Sequence, residues 1–461
     1  MTVVYTRCAG LDVHKKTISV CVRIAKGKQV EQDAGLFGTF TEDLIRLAEF
    51  LRKHKVRHVV MESTGVYWVP VWNVLERYQE WQFELVLVNP QHVRALPGKK
   101  TDQQDAERLA ELGQYNLLSA SFIPPLAQRQ LRDLTRQRAH LQGDRNRVIG
   151  RIQRWLEKAN IKLSSVVSNL VGKTGLLILV AIANGETELP ALSRLACGSL
   201  KGKQLELKKA LNGTTDDHFR WMLKELLDEL ERLDQKLASL NHRIREAVEP
   251  WSELIGRLCT IPGVEEIVAW TLLAELGTDM QQFATAGHAA SWAGLCPGNC
   301  ESAGKRQTGR TRKGNAYLRR ALVQSGWAAA RTKDCFLSDL FYRIARRRGM
   351  KRAALAVAHR ILVIAYSVIR DHKVYKERNE VELDSLRAQQ MARKLTKRLQ
   401  RIGYTVTLAR ADLPVPGIGP GGRPIATPQQ CSKCARWGIP CVHVRNILGY
   451  FQQPNSTESG V

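Results

Sequence analysis

Two short, mostly apolar runs, Val56–Met61 and Phe83–Val88, constrain the fold more than any other feature of the chain. Each has the length and the Val/Leu-rich composition of a strand buried on both faces. Ahead of them, Tyr5–Val13 and Thr17–Ile24 read as the arms of a hairpin, the second alternating with β-branched residues. Glu42–His54 has helical character and leads into the first buried run. This order predicts an α/β segment with a mixed sheet and covering helices.

Carboxylates stand at the ends of those elements. Asp12 lies in Gly10-Leu11-Asp12-Val13-His14-Lys15, at the end of the first strand, and Glu62 follows Met61 at the carboxyl end of the next. Lys100-Thr101-Asp102-Gln103-Gln104-Asp105 opens a helix, with Thr101 as N-cap and acidic residues in the first turn. Asp102 and Asp105 are three residues apart and so share a helix face. Carboxylates at strand ends and on one helix face can meet in a crevice at the carboxyl edge of a sheet. Hard oxygen ligands of this kind suit Mg²⁺ or Mn²⁺, and a metal pair serves phosphodiester chemistry. Taken singly, each of these residues fits a cap or a solvated face equally well.

The three segments Gly10–Lys15, Met61-Glu62-Ser63-Thr64-Gly65-Val66-Tyr67 and Lys100-Thr101-Asp102-Gln103-Gln104-Asp105-Ala106 resemble the DEDD signatures of the insertion-sequence 110 family of transposases. The resemblance implies an N-terminal domain similar to ribonuclease H and to the RuvC junction resolvase, with Asp12, Glu62, Asp102 and Asp105 as metal ligands. It spans roughly residues 8–125 and 250–375.

Charge agrees with a polyanionic partner. The 461 residues carry 70 Lys+Arg against 44 Asp+Glu, a formal charge of +26, and such an excess points to nucleic acid. Ten cysteines, mostly scattered singly, suit a reduced compartment. No signal pattern is visible, and the apolar stretch Leu176–Ala183 is shorter than the roughly 20 residues a membrane span needs. A cytoplasmic, nucleoid-associated protein without a membrane partner is expected.

The α/β pattern stops at Phe122-Ile123-Pro124-Pro125. From Leu126 to Ile161, and again from Asp217 to Val248, apolar residues recur at three- and four-residue spacing, which predicts long antiparallel helices paired as a coiled coil. Residues 164–213 between them look less regular. Arg129, Arg132, Arg136, Arg138, Arg145, Arg147, Arg151 and Arg154 along the first helix suggest a nucleic-acid rail beside a spacer or dimer role. The expected domains are therefore 1–125, 126–250 with its insertion, a helical domain over 251–375, and a tail over 376–461. In the helical domain, Leu258–Val264 resembles a helix-hairpin-helix turn, but Glu265 and Glu266 follow it and favour a structural role.

The most polar segment of that domain, Leu295–Leu318, is a Gly-rich connection between helices predicted at Ala286–Ala293 and Ala316–Thr332. Lys305, Arg306, Arg310, Arg312, Lys313 and the nearby Arg319 are its candidate phosphate contacts. Ser302 sits at its mouth with cations but no local base, so its residues alone describe a turn. Glu301-Ser302-Ala303-Gly304-Lys305-Arg306 and Lys313-Gly314-Asn315 also resemble the second domain of the same family. That resemblance implies Ser302 as the nucleophile of a covalent phosphoserine intermediate, with Ser325 the competing serine. It further implies DNA partners (element ends and target), a guide RNA made by the element, and a homo-oligomer, dimer or tetramer.

Beyond a Pro/Gly-rich linker at Leu413–Pro428, Cys431, Cys434, Cys441 and His443 could close a Cys₃His zinc site; a disordered Cys-bearing tail is the other reading. The expected fold class is thus α/β plus all-α, with a RuvC-like mixed sheet, coiled-coil helices, a helical transposase domain and a small zinc-binding tail. The expected function is a Mg²⁺-dependent, serine-using DNA transposase. A purely hydrolytic RuvC-like nuclease and a non-catalytic nucleic-acid scaffold are the alternatives. A hydrolase has no use for the Ser302 segment, and acidic clusters repel DNA unless a metal intervenes.

Overall fold

The computed structural model of the chain describes residues 2–27, 29–63, 65–89, 102–118, 120–298, 300–302, 305–308, 311, 313–333, 335–377, 396 and 399–401, with backbone alone at 102, 300–302 and 305–308. It divides into two compact units, residues 1–125 and 126–461.

The first unit is built on one sheet. Strands β1 (Arg7–Val13), β2 (Thr17–Lys26) and β3 (Gln29–Gly38) form an antiparallel meander. Helix α1 (Thr41–Lys53) crosses back to β4 (His58–Glu62), which lies parallel to β1. After α2 (Trp68–Arg77), β5 (Glu84–Val88) extends the sheet in parallel, giving the order β3-β2-β1-β4-β5. The buried runs read from the sequence are therefore the parallel strands. β3 and α2 were not legible there; β3 is an edge strand whose residues face solvent, so it lacks a strand's apolar alternation.

Alternation across β1 sorts its residues to two faces. Ala9, Leu11 and Val13 pack with Leu47, Leu51, Val71 and Leu75 of α1 and α2. Cys8 and Gly10 face the other way, toward helix α3 (Asp102–Gln114). Gly10 is required there, since a Cβ at this position would lie 2.2 Å from the Ala106 carbonyl oxygen and 2.4 Å from the Ala110 nitrogen. Further along, Gly113 approaches the Cys8 Sγ.

The second unit opens with α4 (Leu126–Lys158), which pairs with α9 (Asp217–Val248). Arg145 pairs with Asp234, Arg151 with Glu229, and Arg138 with Asn241, so the partner index falls as α4 rises and the helices are antiparallel. Residues 164–213 prove more regular than expected. Helices α5 (Leu163–Val166), α6 (Lys173–Ala183), α7 (Leu189–Arg194) and α8 (Gln204–Leu211) bury Leu163, Ile178, Leu179 and Leu207 against Ile152, Leu156 and Leu223.

The remaining helices are α10 (Ser252–Leu258), α11 (Glu266–Leu276), α12 (Ala286–Trp292), α13 (Ala316–Ala329), α14 (Phe336–Arg348) and α15 (Met350–Asp371). They share one core around Trp270, Leu273, Leu322, Phe341 and Ile361, which also takes in Leu131 of α4 and Ile244 of α9. α15, not the stretch at 176–183, is long and apolar enough to cross a membrane. Most of its apolar residues from Ala353 to Ile369 lie inside this core, as those of a core helix do. The Gly263 turn is structural: φ is +81°, and a Cβ would meet the Ser325 carbonyl oxygen at 2.4 Å.

Candidate active site

Asp12 and Glu62 stand on adjacent parallel strands in matching register, one step beyond the Leu11–Met61 pair. Both are even-numbered partners of the residues that face α3: Asp12 follows Cys8 and Gly10, and Glu62 follows Val60. The pleat therefore sends both carboxylates to the α3 side at the carboxyl edge of the sheet. Asp12 is 6% exposed, and its Oδ2 lies 3.1 Å from His14 Nε2. Ser19, paired with Asp12 across β2, is buried beside it.

The direction of α3 follows from its two close approaches. Ala106–Ala110 cover Gly10, whereas Gly113, farther along the helix, covers Cys8, farther back on the strand. Helix and strand are thus antiparallel, and the first turn of α3, with Asp102 and Asp105, comes to the same edge as Asp12 and Glu62. Acidic residues are also favourable at that helix end, where the backbone dipole is positive. Asp105 is partly exposed, and the Asp102 side chain lies outside the described residues. Among the described side chains, no three His, Cys, Asp or Glu stand close enough to share one metal ion.

In the second unit the Ser302 segment contains a β-hairpin where the sequence suggested a loop. β6 (Cys300–Ser302) pairs antiparallel with β7 (Lys305–Thr308), and Ser302 faces Lys305 across the turn. An isolated bridge between Pro297 and Thr311 closes its base, and Arg319 donates to the Thr311 hydroxyl at 2.8 Å. Gly314 lets the returning chain touch the end of α12, since a Cβ there would fall 2.3 Å from the Gly294 nitrogen.

The residue that ends this segment, Asn315, is tied into an ionic cluster that sequence reasoning missed. Its Oδ1 accepts from the Tyr317 and Leu318 N–H groups and caps α13, while its Nδ2 donates to Glu275 Oε2 at 2.7 Å. Glu275 is fully buried. Arg136 donates to both its oxygens, at 2.8 and 2.9 Å, and Arg132 stands 3.3 Å away while also donating to the Ala274 and Glu275 carbonyls. The double hydrogen bond raises the Arg136 pKa, and burial lowers that of Arg132. Cations at the last carbonyls of α11 also suit that helix end. The one sequence signal was a lone acid in the apolar run Ala274-Glu275-Leu276.

Both regions match known families. A family model for the DEDD transposases of IS110 covers residues 9–161, and the transposase family IS116/IS110/IS902 covers residues 256–340, together just over half the chain. The chain belongs to the IS110 family of transposases. It is 24% identical over 338 residues to a probable family 20 transposase of Pseudomonas aeruginosa, covering 72% of this chain and 89% of that one. It is 24% identical over 299 residues to the transposase for insertion sequence element IS1111A of Coxiella burnetii, covering 63% and 72%. A pilin gene-inverting protein of Moraxella lacunata is 23% identical over 394 residues, covering 80% and 97%.

Asp12, Glu62, Asp102 and Asp105 fall within the first matched segment of this IS110-family transposase, and Ser302 and Asn315 within the second. Ser325 is 1% exposed, donates to the Ala321 carbonyl and packs inside α13, so it is a core residue. The arginine rail is largely neutralised: Arg132 and Arg136 by Glu275, Arg145 by Asp234, Arg147 by Asp144 and Arg151 by Glu229. Lys313 is exposed, β7 carries Lys305 and Arg306, and Arg310, Arg312, Cys431, Cys434, Cys441 and His443 lie outside the described residues.

Proposed function

We propose that this transposase cuts and joins DNA by transesterification at Ser302, with divalent metal held by Asp12, Glu62, Asp102 and Asp105. The observation that carries the reading is the common edge and face of β1, β4 and the first turn of α3, where all four residues originate. The donor set is all hard oxygen, which fits Mg²⁺ or Mn²⁺. When bound, the metal stabilises charge on the phosphoryl oxygens. The chain's own groups do the rest. Ser302 Oγ attacks phosphorus, one P–O bond forms, and the P–O bond to the leaving deoxyribose oxygen breaks; that oxygen ends with the seryl proton. Cations of the hairpin and of Lys313 offset charge on the phosphate. A guide RNA, DNA partners at the element ends and target, and a homo-oligomer bringing the two regions together from different subunits belong to the same proposal. So do a zinc site in the tail and residence at the nucleoid.

The test is a covalent-trapping assay with the full chain, co-expressed with the noncoding flanks of its element, on junction DNA with Mg²⁺. A denaturation-resistant DNA adduct in the wild type, absent in Ser302→Ala, is expected, and Asp105→Asn should abolish it too. Cleavage without an adduct would replace the reading with the hydrolytic nuclease.

A further inference from the structure

Arg138 of α4 differs from five other arginines of the same helix. Arg132, Arg136, Arg145, Arg147 and Arg151 each meet a carboxylate, but Arg138 does not: its Nε donates to the neutral Asn241 Oδ1 at 2.7 Å. Among the described residues no acid lies within ion-pair distance of its guanidinium. Arg138 is partly buried, and burial lowers its pKa. A cation withdrawn from water without a counter-ion is costly, and an anion supplied from outside relieves that cost.

Arg138 opens on a cleft between α4, α11 and α13. On α4 the wall continues with Gln142 and Asn146, which follow Arg138 at four-residue steps and so form one stripe. The α13 wall presents Arg320 and Gln324, again four residues apart, and α11 contributes Thr271. Arg320 is exposed and has no carboxylate partner among the described residues. Each long wall thus carries one unneutralised guanidinium, followed by two side-chain amides on α4 and one on α13. That pattern suits phosphate oxygens, with the amides meeting sugar or base edges, and guanidinium is the better fork for phosphate. Tyr317 hydrogen-bonds His140 across the same cleft, which holds α13 against α4.

The occupant follows from where the cleft lies. α13 starts at Asn315, at the end of the Ser302 segment, and Arg320 lies about 7 Å along the helix axis from that cap. A strand engaged by the hairpin has the cleft beside it in the same unit.

We infer that the cleft between α4, α11 and α13 is a phosphodiester-binding site in which Arg138 and Arg320 hold the backbone of the DNA substrate. The inference rests on the DNA-joining reading above, but not on Ser302, and its test involves no chemistry. Binding of the full chain to a fluorescein-labelled DNA duplex copied from the sequence flanking its gene is followed by anisotropy in EDTA across a salt series. Each phosphate contact contributes about 0.9 to the slope of log affinity against log salt. Arg138→Gln/Arg320→Gln should flatten that slope by about 2. Arg320→Gln alone, at an exposed position, should flatten it by about 1. Arg138→Lys/Arg320→Lys should retain the slope. Lys201→Gln/Lys209→Gln removes two exposed charges from the 164–213 helices and should leave the slope unchanged.

An unchanged slope in the Arg320→Gln and double-Gln variants overturns the inference. So does an equal loss in the Lys201/Lys209 control, which would assign the effect to net charge. A loss seen only with an RNA probe of the same sequence overturns the assignment to DNA. Because no cleavage is read, an absent serine adduct leaves this result intact, and a flat result here leaves the adduct assay intact.

Discussion

Asn315 and Glu275 join the end of the serine hairpin to the core of the second unit: the amide Nδ2 donates to the buried carboxylate at 2.7 Å while Oδ1 caps α13. Arg132 and Arg136 bring α4 to the same carboxylate. The hairpin is thereby referenced to the long helix as well as to its own strands.

Asn315→Ser separates the two jobs of this residue. Serine caps a helix about as well as asparagine, but it is too short and has no N–H to reach Glu275. Unfolding free energy should fall by no more than about 1.5–3 kcal/mol, the worth of a hydrogen bond to a charged group. Adduct formation at saturating DNA should slow at least tenfold, by rapid-quench assay, with DNA affinity unchanged. A wild-type rate would show that the link does not position the hairpin.

Glu275→Gln removes the charge that two arginines share. Breaking a buried pair on one side costs about 3–5 kcal/mol. Denaturant titration should show a loss of that order, and adding Arg136→Gln should recover part of it. A strictly additive double variant would mean that the pair is not coupled.

Gly10→Ala tests the seat of α3. The new methyl collides with helix backbone, not with a flexible side chain, so α3 must move. Overpacking of this kind costs about 1–3 kcal/mol. The variant should be less stable and also lose metal-dependent cleavage, because Asp102 and Asp105 ride on the displaced helix. Gly202→Ala, with open space around it, should leave cleavage unchanged.

Burial pushes the Cys8 thiol up to about 12 from its ordinary value near 9. The folded state therefore keeps this proton over a range where the unfolded chain releases it. Stability should fall as pH rises from 9 toward 12, by about 1.4 kcal/mol per pH unit for this thiol. Cys8→Ala should remove that part of the slope in urea titrations. Cys8 should also resist alkylation in the native protein at pH 9.

What was legible in the sequence was whatever repeats locally. β4 announced itself because both its faces are buried, β5 because its Leu and Val residues run unbroken, and α4 and α9 because their apolar spacing persists for many turns. β3 was hidden because an edge strand facing water carries Gln, Glu and Asp where a central strand carries valine. Helices α5, α7 and α8 were hidden because each is too short to display a period, and α6 because its apolar residues run almost without a polar break and so mark no face. The hairpin at Ser302 was hidden by the glycines and charges that usually mark a loop.

The sequence by itself determined the α/β and helical regions, the family, and the order of the four carboxylates along the chain, all of which depend on residue type and spacing. Only the tertiary structure decided that α3 runs antiparallel to β1 and so carries Asp102 and Asp105 to the edge where Asp12 and Glu62 end. It alone showed that Glu275 unites α4, α11 and Asn315, and that Arg138 lacks the acid that Arg132, Arg136, Arg145, Arg147 and Arg151 each have. These are matters of pairing between residues from 40 to 143 positions apart, and spacing along one chain holds no record of which distant partner a charge will find.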